Sequence, residues 1–336
     1  MATIHDVAQR AGVSPITVSR VINHSGYASR DTRERVEAAV IELGYVPNQL
    51  ARSLRSKRTH TLALVLTDIT NPFFTTVARG VEDTASDADY TVIFCNTDES
   101  ESEEKKYLQV LLQQQVDGIL LVPARSVSDS IDLIRKQHTP VVVLDRRVPL
   151  QAGVDIVRCD SEGGAYQLTR LLIDLGHRHI AALSAPLYVS TSEDRIAGYR
   201  RAMTEAGLGA EAEQTFFGAF TQASGYQMAQ QALASEPRPT AFLAANNLIA
   251  IGALKAVRDV GLRVPEDIAL VGFDDLPAAL VISPFFTVAA QPAYEMGRKA
   301  TQLLLARLAG EVPDSCQNIV LPIEMLVRQS SGSTLS

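Results

Sequence analysis

Six places in this sequence carry side chains suited to holding a small polar molecule. Asn71-Pro72-Phe73-Phe74, Asp145-Arg146, Phe220, Asn246-Asn247, Phe273-Asp274-Asp275 and Gln291-Pro292 each close or follow a short apolar run. Asp, Asn, Gln and Arg present directed donors and acceptors, the equipment for a polyhydroxylated ligand. A phenylalanine ring adds a flat apolar face for the C–H side of a sugar. Any one of these residues is more simply a solvated strand end or a helix cap. Six at equivalent positions point to a site. Near the amino terminus a different chemistry is on offer. Arg20 can donate two hydrogen bonds to guanine O6 and N7, a pairing that discriminates between bases.

Catalytic chemistry finds little support. Gly207-Leu208-Gly209-Ala210-Glu211-Ala212 fits G-x-G-x-x-A, but it follows a helical stretch and precedes a strand-like one, the reverse of a dinucleotide site. The chain has no P-loop, no G-x-S-x-G and no H-E-x-x-H, so no catalytic residue, metal or cofactor is expected. The three cysteines, Cys95, Cys159 and Cys316, include no C-x-x-C pair. That excludes a disulfide framework and fits a reducing compartment.

The elements that must position these residues follow from periodicity. Ile4, Val7, Ala8 and Ala11 recur at helical spacing behind Thr3, a natural N-cap. Gly12-Val13-Ser14 breaks the pattern, Ser14 caps a second helix, and Pro15 falls at its first position, where the missing N–H costs nothing. Val18, Val21 and Ile22 give that helix an apolar face, and it ends near Asn23. A third helix is expected from about Asp31 to Leu43, with Val36, Ala39, Val40 and Leu43 inward and Gly44 as its stop. This is the helix-turn-helix plan, in which the second helix enters the major groove. Its outward face would carry Pro15, Ile16, Thr17, Ser19 and Arg20. Residues 46–60 form a linker that could order on meeting a partner.

From residue 61 onward, apolar runs alternate with helical stretches. The runs are Leu62–Ile69, Thr91–Asn96, Gly118–Pro123, Val141–Asp145, Ile180–Ser184, Thr215–Phe220, Ala241–Ala245 and Ile268–Phe273. Many are continuous, as parallel strands covered on both faces require. The expected fold is α/β, with doubly wound parallel sheets in two lobes. Ligands of such sheets sit beyond the carboxyl ends of the strands, which here can face each other across a cleft.

Charge separates the chain in the same place. Residues 1–60 hold nine Arg/Lys against five Asp/Glu, while the remainder holds 22 against 33, within a net charge of −7. Residues 46–60 contain Arg52, Arg55, Lys57 and Arg58 and no acid. A basic head on an acidic body suits a polyanion-binding module. Hydrophobic residues make up 46% of the chain, which excludes disorder as its main state. The first ten residues have no apolar h-region and no apolar run approaches a membrane span, so a cytoplasmic protein is expected.

The motifs themselves carry a resemblance. Thr3-Ile4-His5-Asp6-Val7-Ala8, Ala11-Gly12-Val13-Ser14 and Thr17-Val18-Ser19-Arg20-Val21-Ile22-Asn23 resemble the DNA-binding headpiece of the lac repressor family. Leu43-Gly44-Tyr45-Val46-Pro47-Asn48 with Ala51-Arg52-Ser53-Leu54 looks like that family's hinge, and the likeness runs through almost the whole chain. It implies a two-lobed core like that of periplasmic binding proteins. The implied organisation is a headpiece over 1–45, a hinge over 46–60 and a core over 61–336. The N-lobe would take about 61–160 and 292–322, and the C-lobe about 161–291 and 323–330. The DNA-binding residues would be Thr3, Ser14, Pro15, Ile16, Thr17, Ser19, Arg20 and Asn23, with Asn48, Ala51, Arg52, Leu54 and Arg55 from the hinge. There two hinge helices would pair in the minor groove, Leu54 matching the leucine that wedges between base pairs.

For the effector the resemblance singles out Arg195, in Asp194-Arg195-Ile196-Ala197-Gly198-Tyr199. It also singles out Asp145, Asn246 and Asp274 as polar contacts, Phe220 as a stacking ring and Phe73 on the facing loop. Phe74 and Gln291 complete the candidate set. Gly176-His177-Arg178-His179-Ile180 matches a family turn, so both histidines are read as structural. Purine-responsive members carry an arginine where this chain has Val189, which argues for a sugar or sugar derivative over a nucleobase. The implied function is a repressor of transcription that binds a palindromic double-stranded operator and a small effector, with no membrane partner. The last eight residues, Gln329–Ser336, contain no heptads, so a homodimer is expected. The competing reading is a periplasmic sugar-binding protein. The basic head and the unhydrophobic amino terminus oppose it.

Overall fold

The computed structural model describes residues 2–23, 25–46, 58–127, 129–209, 213–276, 283–312 and 315–332. They fall into two compact units, Met1–Thr59 and His60–Ser336.

The first unit is built on three helices, α1 (Ile4–Ala11), α2 (Pro15–Ile22) and α3 (Arg30–Leu43). Thr3 opens α1 with a capping box, its hydroxyl accepting from Asp6 N while the Asp6 carboxylate takes Thr3 N. Gly12 takes the left-handed backbone that closes α1, and Arg35 Nη1 donates to Ala11 O at 3.0 Å, tying α3 to the turn. Val7, Ala8, Ala11, Val18, Val21, Val36 and Ala39 form a small core. Ser29 caps α3, which begins at Arg30, one residue before the expected start. Val40 and Leu43, expected inward, are only half-buried, because the two preceding helices are too short to cover the end of α3. The hinge stretch 48–55, with Asn48, Ala51, Arg52, Leu54 and Arg55, lies outside the described residues.

The second unit contains two six-stranded sheets. One has the order β11-β5-β4-β3-β1-β2, with β1 Thr61–Leu66, β2 Thr91–Asn96, β3 Gly118–Leu121, β4 Val141–Leu144, β5 Asp155–Cys159 and β11 Asn318–Leu321. The other has the order β12-β10-β9-β8-β6-β7, with β6 Ile180–Ser184, β7 Glu213–Phe217, β8 Ala241–Ala244, β9 Ala269–Phe273, β10 Thr287–Ala290 and β12 Glu324–Leu326. The central strands β3, β4, β6, β8 and β9 are buried along their whole length, which is why they read as unbroken apolar runs. Edge strands β2 and β7 are only partly covered.

Helices α4 (Pro72–Ser86), α5 (Glu101–Gln113), α6 (Asp129–Lys136) and α11 (Ala293–Ala309) flank the first sheet. Helices α7 (Ser161–Asp174), α8 (Ser190–Glu205), α9 (Gln222–Leu233) and α10 (Asn247–Asp259) flank the second. Three helix pairs cross backbone to backbone; in α7/α8 a Cβ on Gly198 would lie 2.1 Å from Glu162 O. A Cβ on Gly297 would lie 2.1 Å from Val77 O, and one on Gly252 would lie 2.0 Å from Gln222 O, so α4/α11 and α9/α10 pack closer than any side chain allows.

The strand boundaries correct the sequence reading in four ways. Leu62–Ile69 ends as a strand at Leu66, because Asp68 Oδ1 accepts from Thr70 N and turns the chain into α4. The Thr215–Phe220 run is strand only to Phe217. Ala219 N is taken by Ser224 Oγ, so Phe220 sits on the loop before α9. Strands β5, β11 and β12 were not anticipated. In β5 the charged Asp155 hid the pattern; it is buried against Arg307, which donates Nε and Nη2 at 2.7 and 2.8 Å. Finally, β12 runs antiparallel to β10, so the second sheet is mixed rather than purely parallel.

Candidate functional site

In the first unit, α2 turns Val18 and Val21 into the core and leaves Ile16 and Arg20 exposed. Ile16 is 66% exposed, unusual for a large aliphatic and suited to a contact surface. Arg20 has no ion pair among the described residues, so its fork is available to a partner. Pro15, Thr17 and Ser19 are half-buried on the same helix. Thr3 and Ser14 spend their hydroxyls on caps, and the Asn23 amide donates to Ser19 O at 2.8 Å. Those three residues shape the motif more than they present free groups.

In the second unit, the two sheets occupy equivalent positions in their lobes: β4 and β9 are each third in order. Asp145 follows β4 and Asp274 follows β9, both in left-handed backbone at φ 64° and 67°. Non-glycine residues are uncommon there, and Asp is among those that tolerate it. The strand ends thus aim two carboxylates into one space. That space is a cavity of about 330 Å³ whose walls include Phe73, Phe74, Asp145, Arg195, Phe220, Asn246, Asp274 and Gln291. All eight residues of the sequence-derived set line it. Val189 does not; it is buried at the start of α8.

Each side chain has an identifiable support. Arg195, on α8, is buried; its Nη1 donates to Ala245 O at 2.5 Å and its guanidinium stacks 4.1 Å from the Phe273 ring. Asn246 caps α10 by accepting from Ile249 N at 2.8 Å. Gln291 Nε2 donates to Asp274 Oδ1 at 2.7 Å. Phe73 and Phe74 open α4 as an edge-to-face pair with centroids 5.0 Å apart, held by Asn71 Oδ1 accepting from Phe73 N. Asn71 Oδ1 also accepts from Asn247 Nδ2 at 3.1 Å, joining the amino ends of α4 and α10.

Burial raises the Asp145 carboxyl to about 6; the nearby charges of Asp274 and Glu99 add to this, and Arg195 and Arg146 oppose it. Burial likewise raises Asp274, opposed by Arg195 and by the Gln291 hydrogen bond. Thr67 Oγ1, Asp145 Oδ1, Arg146 Nε, Arg195 Nε and Gln291 Oε1 are buried, belong to residues lining the cavity and make no hydrogen bond within the protein. A buried polar group without a partner costs about 1–3 kcal/mol, so five around one cavity mark where a ligand's hydrogen-bonding groups belong.

Thr67, Asp68, Asp98, Glu99 and Thr191 also line the cavity and were absent from the sequence set, as was Arg146, which the sequence placed at a strand end beside Asp145 without carrying it into the set. A signal existed for most of them. Thr67 and Asp68 follow β1, Asp98 and Glu99 follow β2, and Arg146 follows Asp145, so the rule of polar residues at strand ends covered these five. Among the described residues no helix is long and apolar enough to cross a membrane.

Comparison with known proteins agrees with this architecture. Residues 3–48 match the profile of bacterial regulatory proteins of the lacI family. Residues 59–325 match that of periplasmic binding proteins and the sugar-binding domain of the LacI family. The HTH-type transcriptional repressor PurR of Photobacterium profundum is 37% identical over 309 residues, covering 92% of each chain. The ribose operon repressor of Escherichia coli (strain K12) is 36% identical over 308 residues, covering 92% of this chain and 93% of that one. Among solved structures, the lac repressor dimer bound to operator and the anti-inducer ONPF aligns with a TM-score of 0.85 at 29% identity, covering 98% of this chain and 99% of that one. The transcriptional regulator CelR in complex with cellobiose aligns at 0.74 and 35% identity, covering 98% and 100%.

Proposed function

This chain belongs to the LacI family of bacterial regulatory proteins, a DNA-binding transcriptional repressor with an effector-binding core rather than an enzyme, and on that premise we propose that its effector is a sugar or sugar derivative. In this reading the effector lies between the lobes. Asp145, Arg195, Asn246, Asp274 and Gln291 take its hydroxyls, while Phe220, Phe73 and Phe74 cover its apolar faces. Two copies act together on a palindromic operator. Each copy places Arg20 against a guanine, supported by Pro15, Ile16, Thr17 and Ser19, and the hinge residues Asn48, Ala51, Arg52, Leu54 and Arg55 bind at the centre. The proposed organisation is a headpiece over 1–45, a hinge over 46–60 and a core from 61 onward.

The observation that carries the effector reading is the set of unmet groups around the cavity. Asp145 Oδ1 and Gln291 Oε1 need donors, Arg146 Nε and Arg195 Nε need acceptors, and the Thr67 hydroxyl can serve as either. A hydroxyl supplies both roles at once, so a ring of hydroxyls satisfies the set. The ribose operon repressor and the CelR–cellobiose complex among the relatives support the same class. A thermal-shift screen of sugars, sugar acids, sugar phosphates and nucleobases tests the reading, since a ligand that binds only the folded state raises the melting temperature. A sugar-class ligand that raises it, and whose effect Arg195→Ala removes, is the expected result. Stabilisation by nucleobases alone would overturn the sugar reading and leave the regulator standing.

A further inference from the structure

The cavity contains two arginines, and they are not equivalent. Arg146 is 1% exposed, and both terminal nitrogens of its guanidinium are already bonded within the protein, while its Nε has no hydrogen-bond partner there. Its Nη1 donates to Glu99 Oε2 at 2.7 Å, to Pro123 O at 2.6 Å and to Ala124 O at 3.0 Å. Its Nη2 donates to Glu99 Oε1 at 2.5 Å, and its Nε lies 4.0 Å from Asp145 Oδ2. Glu99 therefore grips Arg146 from both of its oxygens, the bidentate geometry that makes such pairs strong. Asp98 and Glu99 both hold left-handed backbone, at φ 50° and 59°, a conformation that persists in non-glycine residues only where the surroundings impose it.

The charge balance follows. Five carboxylates, Asp68, Asp98, Glu99, Asp145 and Asp274, line the cavity against Arg146 and Arg195. With the charge of Arg146 balanced by Glu99, its open Nε remains a donor but only Arg195 has charge left to offset a ligand's, and Arg195 already faces Asp145 and Asp274. The unmet groups are the Nε of Arg146 and of Arg195, the Thr67 hydroxyl and two acceptors, and those acceptors, Asp145 Oδ1 and Gln291 Oε1, need hydrogen-bond donors. A phosphate or carboxylate group has none to give.

From this we infer that Glu99, by neutralising Arg146, makes the cleft select an uncharged polyhydroxylated ligand and reject phosphorylated or carboxylated sugars. The inference rests on the reading of the cleft as a sugar site and narrows it. One added negative charge about 4 Å from an uncompensated carboxylate, at an effective dielectric near 20, weakens binding on the order of a hundredfold or more.

The test pairs each common neutral pentose and hexose with its own phosphate ester and uronic acid, and measures binding to the full chain by calorimetry. A neutral sugar should bind at least about a hundredfold more tightly than its ester or acid. In Glu99→Gln, where an amide cannot neutralise Arg146, the ratio should move toward the anionic member by at least about tenfold. Circular dichroism establishes that the variant is folded; if it is not, the wild-type ratio alone decides. An ester or acid that binds as well as its parent overturns the inference and leaves the sugar reading intact. So does an unchanged ratio in folded Glu99→Gln. If no sugar of any form binds, both readings fall.

Discussion

Replacing Asp145 by Asn should stabilise the fold and weaken the effector. The carboxyl is buried at the end of β4, and burial, with Asp274 and Glu99 nearby, holds it at about 6 in the folded chain against 3.8 in the unfolded one. Between those values the folded state binds a proton that the unfolded state has released, so stability falls as pH rises through that window. The cost is absent below about pH 4 and fully developed above about pH 6. Two pH units at 1.36 kcal/mol each make it about 3 kcal/mol at neutral pH. Asn is nearly isosteric, carries no charge and tolerates the left-handed backbone of this position, φ 64°. Asp145→Asn should therefore be more stable than the parent by about 3 kcal/mol at pH 7.5, several degrees in Tm, and the advantage should vanish toward pH 4. It should also bind effector about tenfold more weakly, since a charge-assisted acceptor becomes a neutral one. Urea denaturation of both proteins from pH 4 to 8, with calorimetry at pH 7.5, reads both effects. A variant less stable at neutral pH, or a difference independent of pH, would refute the electrostatic account of this site.

Three further outcomes are expected. Arg195→Lys keeps the charge but loses the planar stack on Phe273 and the fork, so effector affinity should fall about tenfold to a hundredfold while operator affinity without effector is unchanged; unaltered calorimetry would remove Arg195 from the site. Arg20→Ala should cost about 1–3 kcal/mol per half-site and relax preference at one operator position, and selection of binding sites with the variant that returns the same consensus would refute the guanine contact. Gly252→Ala puts a methyl 2.0 Å from Gln222 O and should destabilise the core by about 3 kcal/mol through separation of α9 and α10; an unchanged denaturation midpoint would show that the crossing can relax.

The first unit was legible because its determinants are local. Thr3, Gly12, Ser14 and Pro15 each fix a cap or a turn within four residues of themselves, and the capping bonds found are the ones these residue types make. The central strands were legible because burial on both faces leaves an unbroken apolar run. What escaped was determined at a distance. Strand β5 includes Asp155, a residue that argues against a buried strand unless Arg307, 152 positions away, is known to neutralise it. Strands β11 and β12 are four and three residues long and gain their partners only after the chain has crossed between the sheets.

The same contrast divides the candidate site. Asp145, Asn246, Asp274 and Gln291 could be found because each stands at the end of its own strand, where one lobe suffices to place it. The Arg146–Glu99 pair could not. Glu99 follows β2 at one edge of its sheet and Arg146 follows β4, with β3 and β1 between them. Only the length of the arginine side chain and the left-handed backbone at Glu99 close that gap. Sequence periodicity marks which residues reach the mouth of the cleft, but not which of them are already paired when they arrive. An arginine in the cleft would by itself suggest an anionic effector. Its bidentate partner reverses that expectation, which is why the charge of the ligand, unlike its location, becomes arguable only from the assembled site.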